Sequence, residues 1–150
     1  MKLAEALQAR ADLNRTIDQL RNRLVNNALV QEGEEPNEKP SDLFREFNSS
    51  VKQLQELIAR INLTNCAVKV DGKTLTEMIA ERDMLQKKID VYKNVVNQAS
   101  MNTHRATRTE IKVLSTIDVR SFQKDIDKMS KQLRELDNMI QQTNWTVDLI

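Results

Sequence analysis

The chain has 150 residues, a length that suits one domain with a substantial core rather than two independent domains. Charged residues make up 30% and hydrophobic residues 39%, with only two glycines and two prolines, which is typical of long helices and coiled-coil-like packing. The net charge of +1 indicates neither a polyanionic nor a membrane partner, and the single cysteine, Cys66, excludes an intrachain disulfide.

The first predicted helix begins at Leu3 and ends near Val30. Its apolar residues recur in steps of three and four, which places them on one helical face. That face contains Leu3, Ala6, Leu13, Ile17, Leu20 and Leu24. Gly33, Pro36 and Pro40 then end the helical pattern in an acidic loop.

Ser41 is predicted to cap the second helix. Its apolar stripe contains Phe44, Phe47, Val51, Leu54, Leu57 or Ile58, and Ile61. After this helix, the alternating and β-branched segment CAVKV predicts a short strand near residues 66–70, and the Asp71-Gly72 pair predicts a turn.

Thr74 and Glu77 predict the start of the third helix, because together they form a capping box that satisfies two backbone N–H groups. The third stripe contains Leu75, Met78, Leu85, Ile89, Tyr92, Val96 and Ala99. Residues 111–116 lose the helical period and predict a second short strand, and Asp118 is predicted to cap the fourth helix. The fourth stripe contains Phe122, Ile126, Met129, Leu133, Leu136 and Ile140.

Two blocks of sequence occur twice and in the same order. KQLQELIARINLTN resembles the later KQLRELDNMIQQTN, and KLAEALQARADLNRTID resembles the later TLTEMIAERDMLQKKID. Any two amphipathic helices share leucines, but they do not easily share lysine, glutamine, threonine and asparagine as well. The pattern indicates an internal duplication of a helical hairpin, with copies at residues 2–65 and 74–144. The asparagine that ends each copy, Asn65 or Asn144, suits a helix C-terminus.

The sequence therefore predicts an all-α fold in a single domain, residues 1–150. Four long helices form two duplicated antiparallel hairpins, packed as a coiled-coil-like bundle with minor short strands. An up-down-up-down arrangement would bring both hairpin loops to the same end. Long, thin hairpins leave part of their apolar stripes uncovered within one chain, so we expect a homo-oligomer.

Arg10 and Arg82 interrupt the stripes of the first and third helices at matching positions. One interpretation is that two buried arginines meet carboxylates and set the register or the assembly state, since a lone buried charge is costly. The interpretation we prefer is that each aliphatic stem lies along the edge of the core with its guanidinium in water. Both arginines are candidates for an interaction.

The two hairpin loops carry opposite charges. The first holds Glu32, Glu34, Glu35, Glu38 and Asp42, and the second holds His104, Arg105, Arg108 and Lys112. Opposite charges predict that the loops dock, within a chain or between subunits. Glu32, Glu34 and Glu35 are also weak candidates for a metal site, since hard cations take oxygen ligands, although their spacing matches no defined metal loop.

The sequence contains no nucleophile elbow, P-loop or GxGxxG motif, and no set of acid, base, nucleophile and donor at a recognisable spacing. We therefore expect a protein that is not an enzyme and that needs no cofactor. The segment MKLAEALQARADL carries charges rather than the apolar core of a secretory signal. No stretch approaches the roughly 18 consecutive apolar residues of a membrane span, so we expect a cytoplasmic protein without a membrane partner.

Several motifs resemble a known family when they are taken together: VQEGEEP, INLTN, DGKTLTE followed by ERD, EIKVLSTIDV and NWTVDL. The chain is similar over nearly its whole length to a family of small bacterial proteins of unknown function, some of which carry the label septicolysin. In that family the arginine pair before EIK usually encloses a tyrosine and a serine, where this chain has Ala106 and Thr107. The resemblance implies no catalytic residues, while the label implies a cytolysin.

Three hypotheses follow from the sequence. The leading one is a self-associating helical scaffold or interaction protein. The alternative is an RNA-binding helical arm that resembles the hairpin of seryl-tRNA synthetase. In that case Arg105, Arg108, Lys112 and Arg120 would contact phosphates. Cytolysin-like membrane activity is a weaker alternative, and it rests on the family label.

Overall fold

The structure is a computed structural model that describes residues 1–103 and 111–150. Within those ranges it has four α-helices: α1 (Leu3–Asn26), α2 (Pro40–Ala67), α3 (Leu75–Ala99) and α4 (Val119–Thr146). Two short strands, β1 (Lys69–Val70) and β2 (Lys73–Thr74), form the sheet, and a 3₁₀ helix spans Ser100–Thr103. The predicted all-α class with minor strands is confirmed.

The chain divides into two compact units. The first contains Met1–Lys69 together with Thr143–Ile150, and the second contains Val70–Gln142. In the first unit α1 packs against α2, and the two helices form the first hairpin. Its buried apolar side chains are Leu3, Ala6, Leu20, Leu43, Ile61 and Leu149.

Thr64 ties the C-terminal segment into the first unit. Its hydroxyl donates to the Arg60 carbonyl at 2.8 Å and accepts the Ile150 N–H at 3.0 Å. The Arg60 guanidinium donates to the Ile150 carbonyl at 2.8 Å. Thr64 is fully buried, and these bonds keep its hydroxyl from being stranded away from water.

The second unit is built on α3 and α4, which form the second hairpin. Its central cluster contains Ile89, Val96, Ile126 and Met129. Tyr92 and Phe122 extend the cluster, with ring centroids 5.3 Å apart. Burial of these side chains holds the hairpin together, since each buried aliphatic or aromatic side chain contributes about 1.5–3 kcal/mol.

The turn between β1 and β2 has the geometry that the sequence predicts. Asp71 and Gly72 both have positive φ, 49° and 85°, which is the requirement of a two-residue hairpin turn of type I′. Gly72 meets that requirement without the steric cost of a Cβ. Of the predicted strand near residues 66–70, only Lys69–Val70 forms a strand, because α2 continues through Cys66 to Ala67.

The predicted caps of α3 and α4 are both present. The Glu77 N–H donates to the Thr74 hydroxyl at 3.1 Å, and the Thr74 N–H donates to the Glu77 carboxylate at 2.7 Å. At the start of α4 the Ser121 N–H donates to the Asp118 carboxylate at 3.2 Å. These starts are local in sequence, which explains why they could be predicted.

Other boundaries differ from the predictions. The α1 helix ends at Asn26, because the side chain of Asn27 bonds back to the Arg23 carbonyl at 2.9 Å and caps it early. The α2 helix begins at Pro40 rather than after Ser41, since the fixed φ of proline suits the first helical position. Asn65 lies inside α2 and not beyond its end.

The strand predicted at residues 111–116 is wrong, because residues 111–115 have no regular secondary structure and a bend follows. A strand needs a hydrogen-bonded neighbour, and the only sheet in the described residues pairs β1 with β2. The β-branched residues of this segment were therefore not enough to form a strand.

The predicted stripe of α2 is correct at Ile61, which is buried, and wrong at part of its length. Phe44 and Val51 were assigned to the core, but they are exposed, while Leu43 and Ser50 are buried. Since α2 carries two neighbouring apolar rows, the helical period could not show which one faces α1.

The duplication remains a prediction, and several matched positions support it. Leu3 and Leu75 are both fully buried, as are Ile61 and Ile140. The Lys2 N–H donates to the Glu5 carboxylate at 2.7 Å, as Thr74 does to Glu77. Lys2 also pairs with Asp148 in an isolated antiparallel bridge, where the matched segments of the other copy form β1 and β2. The predicted packing of the two hairpins into one bundle likewise remains a prediction.

We expect Thr74→Ala to lower the free energy of unfolding by about 1 kcal/mol, because it removes the oxygen that caps the first turn of α3. Urea denaturation at one fixed protein concentration measures the change, since self-association would make stability depend on concentration. Lys87→Ala, at an exposed position in the middle of α3, is the control and should change the value by less than about 0.5 kcal/mol. Equal effects of the two substitutions would contradict the capping role.

Candidate functional site

The two helices of the second hairpin enclose two shallow grooves. Two antiparallel helices meet along one line, so their grooves lie on opposite sides of the pair. One, the charged groove, is lined by Arg82, Asp83, Gln86, Leu133, Arg134 and Asp137. The other, the methionine groove, is lined by Glu81, Met84, Leu85, Lys88, Gln132, Glu135, Leu136 and Met139. The second hairpin therefore has one polar side and one more apolar side.

Arg82 crosses the charged groove from α3 to α4. Its guanidinium lies 2.8 Å from Asp83 and 3.6 Å from Asp137, and its side chain is half-buried. The side chain of Arg82 is partly buried while its guanidinium pairs with carboxylates. It therefore combines the pairing of one interpretation drawn from the sequence with the partial exposure of the other. The contact with Asp137 helps fix the register of α3 against α4, although a partly exposed ion pair contributes little energy.

Arg10, the matched arginine, has different surroundings. It is half-buried, and no carboxylate of the described residues lies within ion-pair distance. Asp137 matches Ile58 in the first copy, by the same shift of 79 residues that relates Lys52 to Lys131. The first hairpin thus has an arginine at the matched position but an apolar residue, Ile58, where the second hairpin has Asp137.

An exposed apolar row runs along α2 at intervals of seven residues. This row, here called the α2 row, consists of Phe44, Val51 and Ile58, whose side chains are 52%, 39% and 38% exposed. In the second copy the matched residues are Gln123, Ser130 and Asp137. The α2 row therefore lies on the side of the first hairpin that corresponds to the charged groove.

A second exposed row runs along α3. This α3 row consists of Met84, Val91 and Val95, which are 60%, 54% and 39% exposed. It begins in the methionine groove, and steps of seven and four residues keep it on that side of the helix. The matched residues of α1 are Asp12, Gln19 and Arg23, by the shift of 72 residues that relates Leu3 to Leu75.

The acidic loop of the first hairpin is tied back to α1 through Glu38. The Glu38 carboxylate accepts from the Arg23 Nε at 3.0 and 3.2 Å and forms an ion pair with the same guanidinium. The Glu38 N–H donates to the Asn27 side chain at 3.1 Å. Hydrogen bonding from Arg23 is the main cause that lowers the pKa of Glu38 below its ordinary value of 4.5.

The three weak metal candidates, Glu32, Glu34 and Glu35, are all exposed. Across residues 1–103 and 111–150, no three or more histidine, cysteine, aspartate or glutamate side chains gather closely enough to hold a metal ion. The expected docking of the acidic loop on the basic loop remains a prediction.

Arg105 and Arg108, two of the interaction candidates, lie outside the described residues, as does His104. Lys112 and Arg120 are described, and both are exposed. Their suggested contacts with phosphates therefore stay a prediction from the sequence.

A cleft of about 340 Å³ lies at the loop end of the second hairpin, next to Val95, Met101, Val113 and Leu114. Its lining resumes on the far side of residues 104–110, which the structure does not describe. For that reason it carries no functional argument.

Two of the comparisons with known proteins found a similarity to this chain. A family model described as "Family of unknown function (DUF6847)" matches residues 10–149, and the chain belongs to this family. The chain is also similar to a protein solved as "Crystal structure of a functionally unknown conserved protein from Corynebacterium diphtheriae". The two are 36% identical over 100% of this chain and 99% of that chain, with a TM-score of 0.92. None of the curated proteins matches the chain.

These comparisons support the predicted membership of a family of unknown function, and they contain nothing on the septicolysin label. No helix in the described parts of the chain combines the length and apolarity needed to cross a bilayer.

We expect Glu38→Gln to destabilise the protein near neutral pH and to lose that effect in acid. The folded-state pKa of Glu38 is lowered, so its contribution is present above the ordinary pKa of 4.5 and is lost as pH falls through the lowered value. The difference in melting temperature between the native protein and Glu38→Gln, measured from pH 7 to pH 3, should shrink below about pH 4.5.

Glu56→Gln, at an exposed position on α2, serves as the control for that experiment. Its effect should be small throughout the pH range. A difference for Glu38→Gln that stays constant into acid would show that the carboxylate does not stabilise the loop through its charge.

Proposed function

We propose that this member of the DUF6847 family is a non-enzymatic helical protein that self-associates and acts as a scaffold or interaction module. The observation that carries the proposal is the α2 row, three large apolar side chains that α1 leaves exposed. An apolar surface of this kind on a soluble protein commonly marks an interaction site.

The spacing of the α2 row suits a helix partner. Seven residues span nearly two helical turns, so Phe44, Val51 and Ile58 line up along the helix axis, as the residues of a coiled-coil seam do. From Phe44 to Ile58 the row is about 21 Å long, at about 1.5 Å per residue. A second helical hairpin could cover it along its whole length.

The positions that flank the α2 row on its outer side support the same interpretation. They are Ser41, Asn48, Gln55 and Asn62, and all are uncharged. Depletion of charge is characteristic of the centre of a protein interface.

The methionine groove offers a second apolar surface of the same kind. Met84 and Met139 are both exposed, and Leu85 and Leu136 lie between them. Methionine is flexible and polarisable, so it can adapt to an incoming apolar side chain. Two such surfaces in one chain favour assembly of several copies.

The membrane-damaging activity that the septicolysin label implies stays a weaker alternative. It would release dye from liposomes at protein concentrations at which the chain is folded. If the liposomes retain their dye, membrane damage is rejected and self-association remains.

We expect the native protein to form a defined oligomer in light scattering after size-exclusion chromatography, and Phe44→Lys to weaken it. Loss of a buried phenylalanine contact of about 1.5–3 kcal/mol corresponds to a dissociation constant that rises by about 10- to 100-fold. Dilution series of both proteins measure that change.

Gln123→Lys is the matched control, because Gln123 holds the position of Phe44 in the second copy and is exposed as well. It should leave the oligomer intact. A native protein that remains monomeric at high concentration would overturn the proposal, as would equal effects of Phe44→Lys and Gln123→Lys.

A further inference from the structure

We infer that self-association joins unlike hairpins: the α2 row on the first hairpin of one copy packs into the methionine groove on the second hairpin of another copy. This inference rests on the proposed function and specifies its partner, which is a second copy of this chain. The pairing is heterologous, which means that two different faces pack together and neither face has to pack against an identical one.

The two apolar faces lie on opposite sides of the repeated hairpin. Ile58 of the α2 row matches Asp137, which lines the charged groove. Met84 of the α3 row lines the methionine groove on the other side. Each hairpin of the chain is thus apolar on the side where the other hairpin is polar.

The polar replacements occur at every position of both rows. The α2 row matches Gln123, Ser130 and Asp137, and the α3 row matches Asp12, Gln19 and Arg23. If the chain simply had an excess of exposed apolar residues, they would occur at matched positions in both hairpins. The observed division keeps one apolar face per hairpin, which gives a single chain two different faces that can cover each other in a second copy.

The dimensions of the two faces agree. The α2 row is about 21 Å long and the α3 row about 16 Å, at about 1.5 Å per residue. The α2 row lies on a single helix about 10 Å wide, so a contact about 20 Å long covers about 200 Å² of each face. Because each chain contributes both of its faces, it covers about 400 Å² in two contacts, which is about half of what a standard interface buries per partner.

The charges beside the faces are complementary. Arg10 and Ile58 match Arg82 and Asp137, which form an ion pair, so we infer that Arg10 lies beside Ile58 at the edge of the α2 row. Arg10 has no ion pair among the described residues. The methionine groove contains Glu81 and Glu135. Glu81 already lies 2.7 Å from Lys73, but Glu135 is 4.0 Å from its nearest lysine, Lys131. Glu135 of a second copy can therefore supply the carboxylate that Arg10 lacks.

The pairing allows a closed assembly. In a twofold dimer, the first hairpin of each chain would meet the second hairpin of the other, so one kind of interface would occur twice and would cover the α2 row and the methionine groove of both chains. Closure also prevents the continued head-to-tail growth that unlike faces would otherwise permit.

Mixing two variants tests the inference. The first-face variant carries Phe44→Lys and Ile58→Lys, and the second-face variant carries Met84→Lys and Val91→Lys. Each variant alone should be monomeric where the native protein is dimeric, because both of its interfaces contain one altered face. An equimolar mixture should form a heterodimer, since one interface then joins two unaltered faces. Native mass spectrometry resolves the species when one variant carries a mass tag.

The outcomes separate this inference from the proposed function. A native protein that stays monomeric removes both. A native oligomer whose first-face variant still dimerises alone, or whose mixture forms no heterodimer, overturns the inference and leaves self-association standing. A variant with Gln19→Lys and Gln123→Lys, which alters the matched polar positions, should dimerise like the native protein.

Cross-linking gives a second test that does not require disruptive substitutions. In a Cys66→Ser background, Val51→Cys is mixed with Val91→Cys and oxidised. The inference predicts more cross-linked product between the two variants than from either variant alone, because a disulfide forms only where the two Cα atoms come close together. Cross-linking of Val51→Cys with itself at equal yield would show that like faces pair, which overturns the inference.

Discussion

Two antiparallel helices can cover only one stripe of each other, and the rest of this structure depends on that constraint. A helix carries side chains around its whole circumference, so its flanks remain exposed whatever the hairpin buries. In the first hairpin α1 covers Leu43 and Ser50 and leaves Phe44 and Val51 in solvent. The flanks therefore determine what else the hairpin can contact, while the buried stripe only holds it together.

The exposed flanks of the two hairpins differ in chemistry. Matched buried positions are alike, as Leu3 and Leu75 show, because each hairpin needs an apolar seam between its two helices. Matched exposed positions differ, as Ile58 and Asp137 do. Asp137 forms an ion pair with Arg82 of the same hairpin. The flank of the second hairpin that contains them is therefore polar. Ile58 makes the equivalent flank apolar, which makes it suitable for an outside partner.

The sequence predicted what depends on neighbouring residues and missed what depends on packing. The cap at Thr74 and the four helices follow from local pattern, and all are present. The strand at residues 111–116 failed because a strand also depends on a partner elsewhere in the chain. The sequence likewise assigned Phe44 and Val51 to the core, although their seven-residue spacing was visible. Only the contact of α1 with α2 shows that this row is the exposed one, so the candidate site needed the structure.

Electrostatics add a selection that apolar area alone cannot provide. Arg10 is tolerated at a half-exposed position because water solvates its guanidinium, but covering it without a carboxylate would cost free energy. The outer flank of the α2 row is uncharged, so two α2 rows packed together would supply no counter-charge from those positions. A face that brings Glu135 satisfies the arginine while it covers the row. In the proposed assembly, the same residue disfavours the like pairing and favours the unlike one, which is how a single charge can specify a partner at little cost in stability.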